Sequence, residues 1–133
     1  MQSRSIGAVL TAMAVTTTTF AHHSATAIFD MGASIEMKAT LTGVRWINPH
    51  IRLSVDPIDK EEFSEPWVFE SQPPQWYRRV GVSPAKFEDA IGETITVIGW
   101  PARNGEPFGF MRRITFVDGT VFEMVTELGE NQE

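Results

Sequence analysis

Short runs in which apolar and polar residues alternate restrict this chain to a fold made mainly of β-strands. Ile51–Val55 alternates strictly, and Trp67 and Phe69 repeat the pattern further along. Because successive side chains of a strand point to opposite faces, a period of two is typical of a sheet with one buried face. Thr94–Ile98 and Phe108–Val117 have the same character and predict a fourth and a fifth strand.

The first run, Lys38–Trp46, changes phase at Gly43, where its apolar positions pass from odd to even numbers. A glycine at a phase change indicates a bulge or a sharp bend. Strands need such bends where a sheet curls into a barrel, so this glycine favours a curled sheet over a flat one.

One segment, Gln72–Ala90, lacks the alternation and predicts helix. Two prolines open it, and Gln75–Val80 is long enough for about two helical turns before Gly81. Ser83 then offers an N-cap followed by a proline at the first helical position.

Three strands, a helical crossover and two or three further strands form the order of a small Greek-key barrel. We therefore predict an all-β fold with one short helical segment, built as a five- to six-stranded barrel of the oligonucleotide/oligosaccharide-binding (OB) type. The Asp118-Gly119 turn predicts a hairpin whose returning strand is Thr120–Val125. An open β-sandwich of similar strand count is the alternative.

The first residues have the pattern of an export signal. Arg4 precedes the apolar run Ile6–Val15, and the small residue Ala21 stands at the expected cleavage point. The apolar run is too short to span a bilayer, so we expect a periplasmic or secreted protein that does not span the membrane after processing. The predicted organisation is a signal peptide at residues 1–21, an extended lead-in at 22–33, a single β-barrel domain at 34–126 and a polar tail at 127–133.

Charge and composition exclude several classes of function. The formal net charge of −6 would become −7 if Arg4 left with the signal, and a phosphate backbone would be repelled, which argues against nucleic-acid binding. The chain has no cysteine, so disulfides, thiolate metal sites and a cysteine nucleophile are excluded. Nucleophile-elbow, phosphate-loop and zinc-protease motifs are absent, and nothing marks a general acid/base pair, which favours a binding protein over an enzyme.

The three histidines are the candidate metal ligands. Cleavage after the signal would leave His22 at the new terminus, with its amine and its ring available to one metal ion. His50, after Asn48-Pro49 at a strand end, is the better second ligand, because adjacent His23 would point away on an extended chain. Imidazole suits copper, nickel and zinc, and copper binds most tightly at a given nitrogen site. A solvated terminus and a hydrogen-bonding His50 are the simpler alternative; no organic cofactor is indicated.

A second candidate site consists of aromatic and polar residues. Trp46 and Trp76, exposed on a barrel face, could stack on a ring-shaped ligand. Asn48 is a further ligand-binding candidate, and Asn48 or Asp30 could instead supply an oxygen ligand to the metal ion. Arg78 and Arg79 could bind a carboxylate or a phosphate. The simpler alternatives are core packing for the tryptophans and surface ion pairs for the arginines.

These motifs resemble a family of small exported bacterial proteins of unknown function. The resemblance covers essentially the whole mature chain and implies a compact periplasmic β-protein, with no established activity to transfer. The chain departs from the family around Ser71–Tyr77, where members tend to have small residues. The residues that carry the resemblance are His22-His23-Ser24, Phe29-Asp30, Gly43-x-x-Trp46-x-Asn48-Pro49-His50, Trp67-x-Phe69-Glu70, Arg78-Arg79, Gly81, Gly92-Glu93-x-Ile95-x-Val97 and Asp118-Gly119.

Two functions are therefore expected. The first is a periplasmic β-barrel that binds a metal ion, copper before zinc, in metal handling or as an accessory to an exported or membrane-bound redox partner. The alternative is an adaptor that binds a small ligand or a protein through its aromatic and arginine residues. A copper enzyme is a third hypothesis, and the sequence shows neither an open metal position nor an oxidisable substrate for it.

Overall fold

A computed structural model describes residues 25–124, and within them the chain forms six strands and three short helices. The strands are β1 (Ile35–Arg45), β2 (Arg52–Pro57), β3 (Trp67–Glu70), β4 (Thr94–Pro101), β5 (Phe108–Thr115) and β6 (Val121–Glu123). The helices are α1 (Ala25–Ile28), α2 (Pro74–Arg79) and α3 (Pro84–Glu88).

The first five strands close into a barrel. β1 pairs antiparallel with β2 and with β4, β2 pairs with β3, and β4 pairs with β5. A short parallel pairing of β3 with β5, from Val68–Phe108 to Glu70–Phe110, completes the circle. The order around the barrel, 1-2-3-5-4, is that of the OB type, so the predicted barrel is confirmed and the open sandwich is wrong. β6 pairs with the end of β5 as the sixth strand.

Two irregularities bend the sheet. The β1–β2 register shifts between Leu41 and Gly43, which confirms the predicted bulge. A second register shift lies between Ile98 and Gly99 in the β4–β5 pair, and no phase change in the sequence predicts it. A Cβ on Gly99 would lie 2.4 Å from the carbonyl oxygen of Phe110, so only glycine permits the two strands to approach this closely.

The predicted helical segment between β3 and β4 forms two short helices, α2 and α3. Gly81, with φ of 77°, ends α2 in the left-handed region. Its N–H donates to the carbonyl of Arg78 at 3.2 Å, and the N–H of Val82 donates to that of Tyr77 at 2.9 Å, which is the Schellman arrangement. Ser83 occupies the N-cap of α3, but its side chain makes no capping hydrogen bond.

The two helices cover one end of the barrel and complete its core. Tyr77 of α2 and Phe87 of α3 are both fully buried, and their rings meet edge to face at 5.4 Å. Phe87 also contacts Phe116 at 5.4 Å, beyond the end of β5. The strand residues that point into this core are Met37, Ala39, Leu41, Leu53, Val55, Phe69, Ile95, Val97, Met111 and Ile114.

The segment ahead of β1 is anchored to the barrel. Its first described residues form the single turn α1 in place of the predicted extended chain, because the N–H of Phe29 donates to the carbonyl of Ala25 at 2.8 Å. Phe29 then makes an isolated antiparallel bridge with Ala102, just after β4. Among the residues described, no helix is long and apolar enough to cross a membrane.

Candidate metal and ligand site

The predicted ligand His50 lies just before β2, beside the last residue of β3. The β2–β3 register places Arg52 opposite Glu70, and His50 precedes Arg52 by two positions, so these three residues share the outer face of the barrel. The Nδ1–H of His50 donates to Oε1 of Glu70. The His50 side chain is 40% exposed, whereas that of Glu70 is 14% exposed.

This contact determines which nitrogen of His50 can serve as a ligand. A carboxylate on Nδ1 fixes the tautomer and the orientation of the ring, as it does for most metal-bound histidines. Within the described part of the chain, His50 makes no other hydrogen bond, so Nε2 remains available on the exposed side of the ring. The local chemistry therefore suits one imidazole ligand held by an outer-shell carboxylate.

Two arginines lie next to this pair. Nη2 of Arg52 donates to Oε2 of Glu70 at 3.3 Å, so Glu70 receives one bond from Arg52 and one from His50. Arg45, the last residue of β1, is the register partner of Arg52 across the β1–β2 pair. Both guanidinium groups therefore project from the same face of adjacent strands, and both residues are exposed.

The turn between β1 and β2 completes a groove around these side chains. The peptide bond between Asn48 and Pro49 is cis. The groove has a volume of about 200 Å³, enough for a hydrated ion or a small organic molecule. Its lining residues are Arg45, Ile47, Asn48, Pro49, His50, Arg52 and Glu70.

The residue after Glu70 faces the other way, into the core. Ser71 is fully buried, and its hydroxyl lies 2.6 Å from that of Tyr77 and 2.8 Å from Sδ of Met124. Burial raises the pKa of the Tyr77 hydroxyl far above its ordinary value, and the hydrogen bond with Ser71 opposes the shift only weakly. The tyrosine is therefore a neutral structural group at physiological pH, not a proton donor for the groove.

The lead-in segment docks on the outer face of β4 and β5 through Phe29. This ring is 1% exposed and lies 5.2 Å from the ring of Phe108 and 5.6 Å from that of Phe110. Arg103 adds two hydrogen bonds of 2.9 Å, from its backbone N–H to the carbonyl of Ile28 and from Nε to the carbonyl of Thr26. The apolar contact and the hydrogen bonds together fix where the chain enters the barrel domain.

Strand register connects this docking point to His50. Phe110 is paired with Trp100 on one side and with Glu70 on the other, and Trp100 and Phe110 stack with 5.9 Å between their rings. Paired residues project to the same face, so Glu70 and the rings under Phe29 belong to one outer surface. Phe29 pairs with Ala102, so about three strand spacings, ~14 Å, and two residues along the strands, ~7 Å, separate its backbone from that of Glu70.

The other predicted site residues lie apart from the groove or outside the described residues. Trp46 and Trp76 are half-buried, with their rings 5.3 Å and 4.9 Å from that of Tyr77, so both pack over the capped end of the core. Arg78 and Arg79 are exposed on α2. Asn48 lines the groove beside His50. His22 and His23 lie outside the described residues.

Glu70, Arg45 and Arg52 were not predicted as site residues. Glu70 is twenty positions from His50 in sequence, and only the pairing of β2 with β3 brings the two together. The alternation of side chains along β3 was the available signal, since Phe69 points inward and Glu70 must therefore point outward. Arg45 and Arg52 become neighbours only once the bulge at Gly43 has set the register.

The described residues alone do not form a complete metal site. Between residues 25 and 124, no group of three or more histidine, aspartate or glutamate side chains is placed to hold a metal ion. The groove supplies one imidazole, so further ligands would have to come from outside the described residues, as His22 and His23 would. The prediction of a site formed by His22, His23 and His50 stays a prediction.

The comparisons with known proteins give a family and no activity. A model described as a family of unknown function, DUF6152, matches residues 10–112. The match extends from the region ahead of the lead-in into β5, and so includes the groove residues and Phe29. A comparison with curated proteins found no match.

Proposed function

We propose that this chain, which belongs to the family of unknown function DUF6152, is a small periplasmic β-barrel protein that binds a metal ion, copper by preference, through histidines. The observation that carries the proposal is the contact of His50 Nδ1 with Glu70, which leaves Nε2 of an exposed imidazole as a free, oriented donor.

The remaining ligands would come from the processed terminus. Cleavage after Ala21 gives His22 a free amine, and this amine and the His22 ring can chelate one ion. Nε2 of His50 then makes a site of three nitrogen donors, which favours copper(II) over zinc. His23 is an alternative ligand or an outer-shell group.

Phe29 docks the lead-in on the outer surface that also carries Glu70. Six residues lie between His22 and Phe29, and a fully extended chain from one to the other would span at most about 23 Å. Ala25–Ile28 forms a helical turn, which shortens this reach, so the proposed site requires that the turn opens when His22 and His50 bind the same ion.

We further propose a role in metal handling or as an accessory to an exported redox partner. One half-exposed imidazole and a chain terminus form a site from which a partner can take the ion. The described groove has no deep substrate cavity, since its volume is about 200 Å³ and arginine occupies two of its walls. These features support transfer of the metal ion to a partner more than catalysis.

A competition titration with copper(II) tests the proposal. Mass spectrometry first establishes that the purified protein begins at His22, and the parent should then bind one copper ion per chain. His50→Ala should weaken binding by at least about tenfold, or ~1.4 kcal/mol. A form with one glycine added ahead of His22 should weaken it similarly, because the amine is displaced from the chelate.

His23→Ala is the matched control, since it changes a neighbouring histidine and keeps both proposed ligands. Its affinity should stay close to that of the parent. Equal copper binding by the parent and His50→Ala, or no binding by the parent, would refute this site.

An adaptor function is the second candidate, and one observation favours it. Arg78 and Arg79 at the end of α2 and Val80 at its C-cap are consecutive exposed residues, and neither arginine has an ion pair among the described residues. Half-buried Trp76 lies on the same helix. Trp76→Ala should then abolish capture of a partner from a periplasmic extract while the circular dichroism spectrum is kept; unchanged capture would exclude this surface.

A further inference from the structure

We infer that the groove between the Asn48-Pro49 turn and the start of β2 binds a small oxyanion, a carboxylate or a phosphate, between Arg45 and Arg52. This inference concerns a different ligand from the proposed metal ion and does not depend on it. It rests on where the strand register places two positive charges and on how few negative charges accompany them.

Arg45 and Arg52 are directly opposite each other in the β1–β2 pair. Like charges at opposed positions of an antiparallel pair destabilise it, and natural sheets usually place opposite charges or neutral residues there. The arrangement is therefore unfavourable for stability by itself. A ligand with negative charge between the two guanidinium groups would reverse the sign of that interaction.

Glu70 does not neutralise both arginines. Its Oε2 accepts from Arg52 at 3.3 Å, and its Oε1 is occupied by His50. Arg45 has no acidic partner within residues 25–124. One full positive charge, together with unused donors of Arg52, therefore faces the groove.

Three other cations among the described residues have acidic partners. Lys86 contacts Asp118 at 2.6 Å, Arg113 lies 3.9 Å from Glu123, and Lys60 pairs with Asp56. A second surface groove, beside β1, is lined by Glu36, Lys38, Asp59 and Glu62 with Ile58 and Phe63, and so has an excess of acid. Arg78 and Arg79 on α2 also lack ion pairs among the described residues, but Arg45 and Arg52 are opposed across two strands and line the same groove, so in a chain of net charge −6 their positive charge is concentrated at one place.

The shape of the groove narrows the class of ligand. About 200 Å³ accommodates a group of a few heavy atoms, and the turn from Ile47 to Pro49 covers one side. A planar guanidinium presents two parallel N–H donors to a carboxylate or phosphate, so two arginines on adjacent strands can hold one oxyanion from both sides. Asn48 lies in the same groove and adds an amide donor.

Thermal unfolding of the purified protein in EDTA tests the inference without interference from metal ions. Inorganic phosphate and malonate are the two probes, each compared with sodium chloride at the same ionic strength. Either probe should raise the melting temperature in proportion to the logarithm of its concentration, because it binds only the folded state. Phosphate and malonate are titrated separately, and the lower half-saturating concentration identifies the preferred class.

Arg45→Gln is the informative variant. It should weaken anion binding by about tenfold or more, since hydrogen bonds to charged groups are strong. In chloride alone its melting temperature should equal or exceed that of the parent, because the substitution removes the repulsion with Arg52. A merely structural role for Arg45 would lower that temperature instead.

Arg113→Gln is the matched control, because Arg113 is an exposed arginine on β5 that the groove does not include. It should respond to both anions as the parent does. The inference is overturned if neither probe exceeds the chloride effect, or if Arg45→Gln and Arg113→Gln respond alike.

Discussion

Glu70 is the last residue of β3 and Ser71 follows it, yet the two side chains lie in regions that differ in burial and in charge. Ser71 points inward, is fully buried, and shares its hydrogen bonds with Tyr77 and Met124. Glu70 points outward into a groove, where His50 donates to one of its oxygens and Arg52 to the other, and Arg45 has no acidic partner among the described residues. One peptide bond separates a region built for stability from a region that carries unbalanced charge.

The difference teaches where binding is to be expected in this barrel. On the inner side, every buried side-chain nitrogen and oxygen in the described part of the chain has a partner. On the outer side, Arg45 and Arg52 occupy opposed positions of the β1–β2 pair, where two like charges make the sheet less stable. This loss of stability occurs next to an oriented imidazole, and ligand binding explains it better than folding does.

The largest effect is expected on the inner side, from Phe87→Ala. The ring is fully buried and touches Trp46, Tyr77, Phe116 and Phe122. Its removal should lower the free energy of unfolding by about 3–5 kcal/mol, measured by urea denaturation. A loss below ~1 kcal/mol would mean that the packing of α2 and α3 over the barrel end contributes little to stability. The difference in stability between the inner and outer regions would then be smaller than proposed.

Ser71→Ala should give a smaller loss of about 1 kcal/mol, because the hydroxyls of Ser71 and Tyr77 and Sδ of Met124 share one buried hydrogen-bond cluster. Copper and anion affinity should not change, since the side chain faces away from the groove. Urea denaturation and the two binding titrations check this on the same sample. Weaker ligand binding in this variant would break the proposed separation of the two faces.

The inner side should also determine the behaviour at alkaline pH. Burial raises the pKa of Tyr77 from its ordinary value of 10.0, so the folded state keeps a proton that the unfolded state loses. Stability should therefore be unaffected by this group below about pH 10 and fall as the pH rises through the window above it. Tyr77 is the one tyrosine of the chain, so tyrosinate absorbance reports it alone.

Tyr77→Phe provides the control for the alkaline experiment, because the lysines titrate in the same range and remain in the variant. The parent should lose more stability than Tyr77→Phe above pH 10, and its tyrosinate absorbance should rise together with unfolding. An absorbance rise near the ordinary value, with the fold intact, would show that the hydroxyl is accessible and that the inner region is not closed.

Glu70→Gln should have the smallest effect on folding and a large one on the groove. The Glu70 side chain is 14% exposed, but its partners His50 and Arg52 are about half exposed and can hydrogen-bond water instead, so the free energy of unfolding should change by less than ~1 kcal/mol. Copper affinity should fall by about 10- to 100-fold, as is typical when the outer-shell partner of a histidine ligand is altered. Paired with Ser71→Ala, this variant sharpens the comparison, because adjacent residues should give opposite results in the two assays.

The barrel could be predicted because its determinants are local in sequence. Alternation in each strand, the phase change at Gly43 and the stop at Gly81 each follow from one or a few residues. The break between α2 and α3 likewise follows from Gly81 and the Ser83-Pro84 cap, whereas the second bulge at Gly99 could not be predicted, because packing between distant segments decides it. The closure of β3 on β5 is a three-residue parallel pairing with no pattern of its own.

The site was predictable only in part, for the same reason. His50 was identifiable because Asn48-Pro49 ends strand pairing just before it. The positions of its partner Glu70 and of the arginine pair depend on the register of β1, β2 and β3. A slip of one residue would turn these side chains to the other face of the sheet. Trp46 and Trp76 were candidates for ligand stacking with core packing as the simpler alternative, and both are half-buried with their rings against Tyr77.

The proposed metal site is tested most directly by a crystal structure of the exported form, beginning at His22, grown with one equivalent of copper. Anomalous scattering at the copper edge locates the ion without reference to the protein density. The ion should be bound by Nε2 of His50 and by the amine and ring of His22, with Glu70 still on Nδ1 of His50. Copper bound elsewhere, with Nε2 of His50 exposed to solvent, would contradict the assignment of this groove as the metal site.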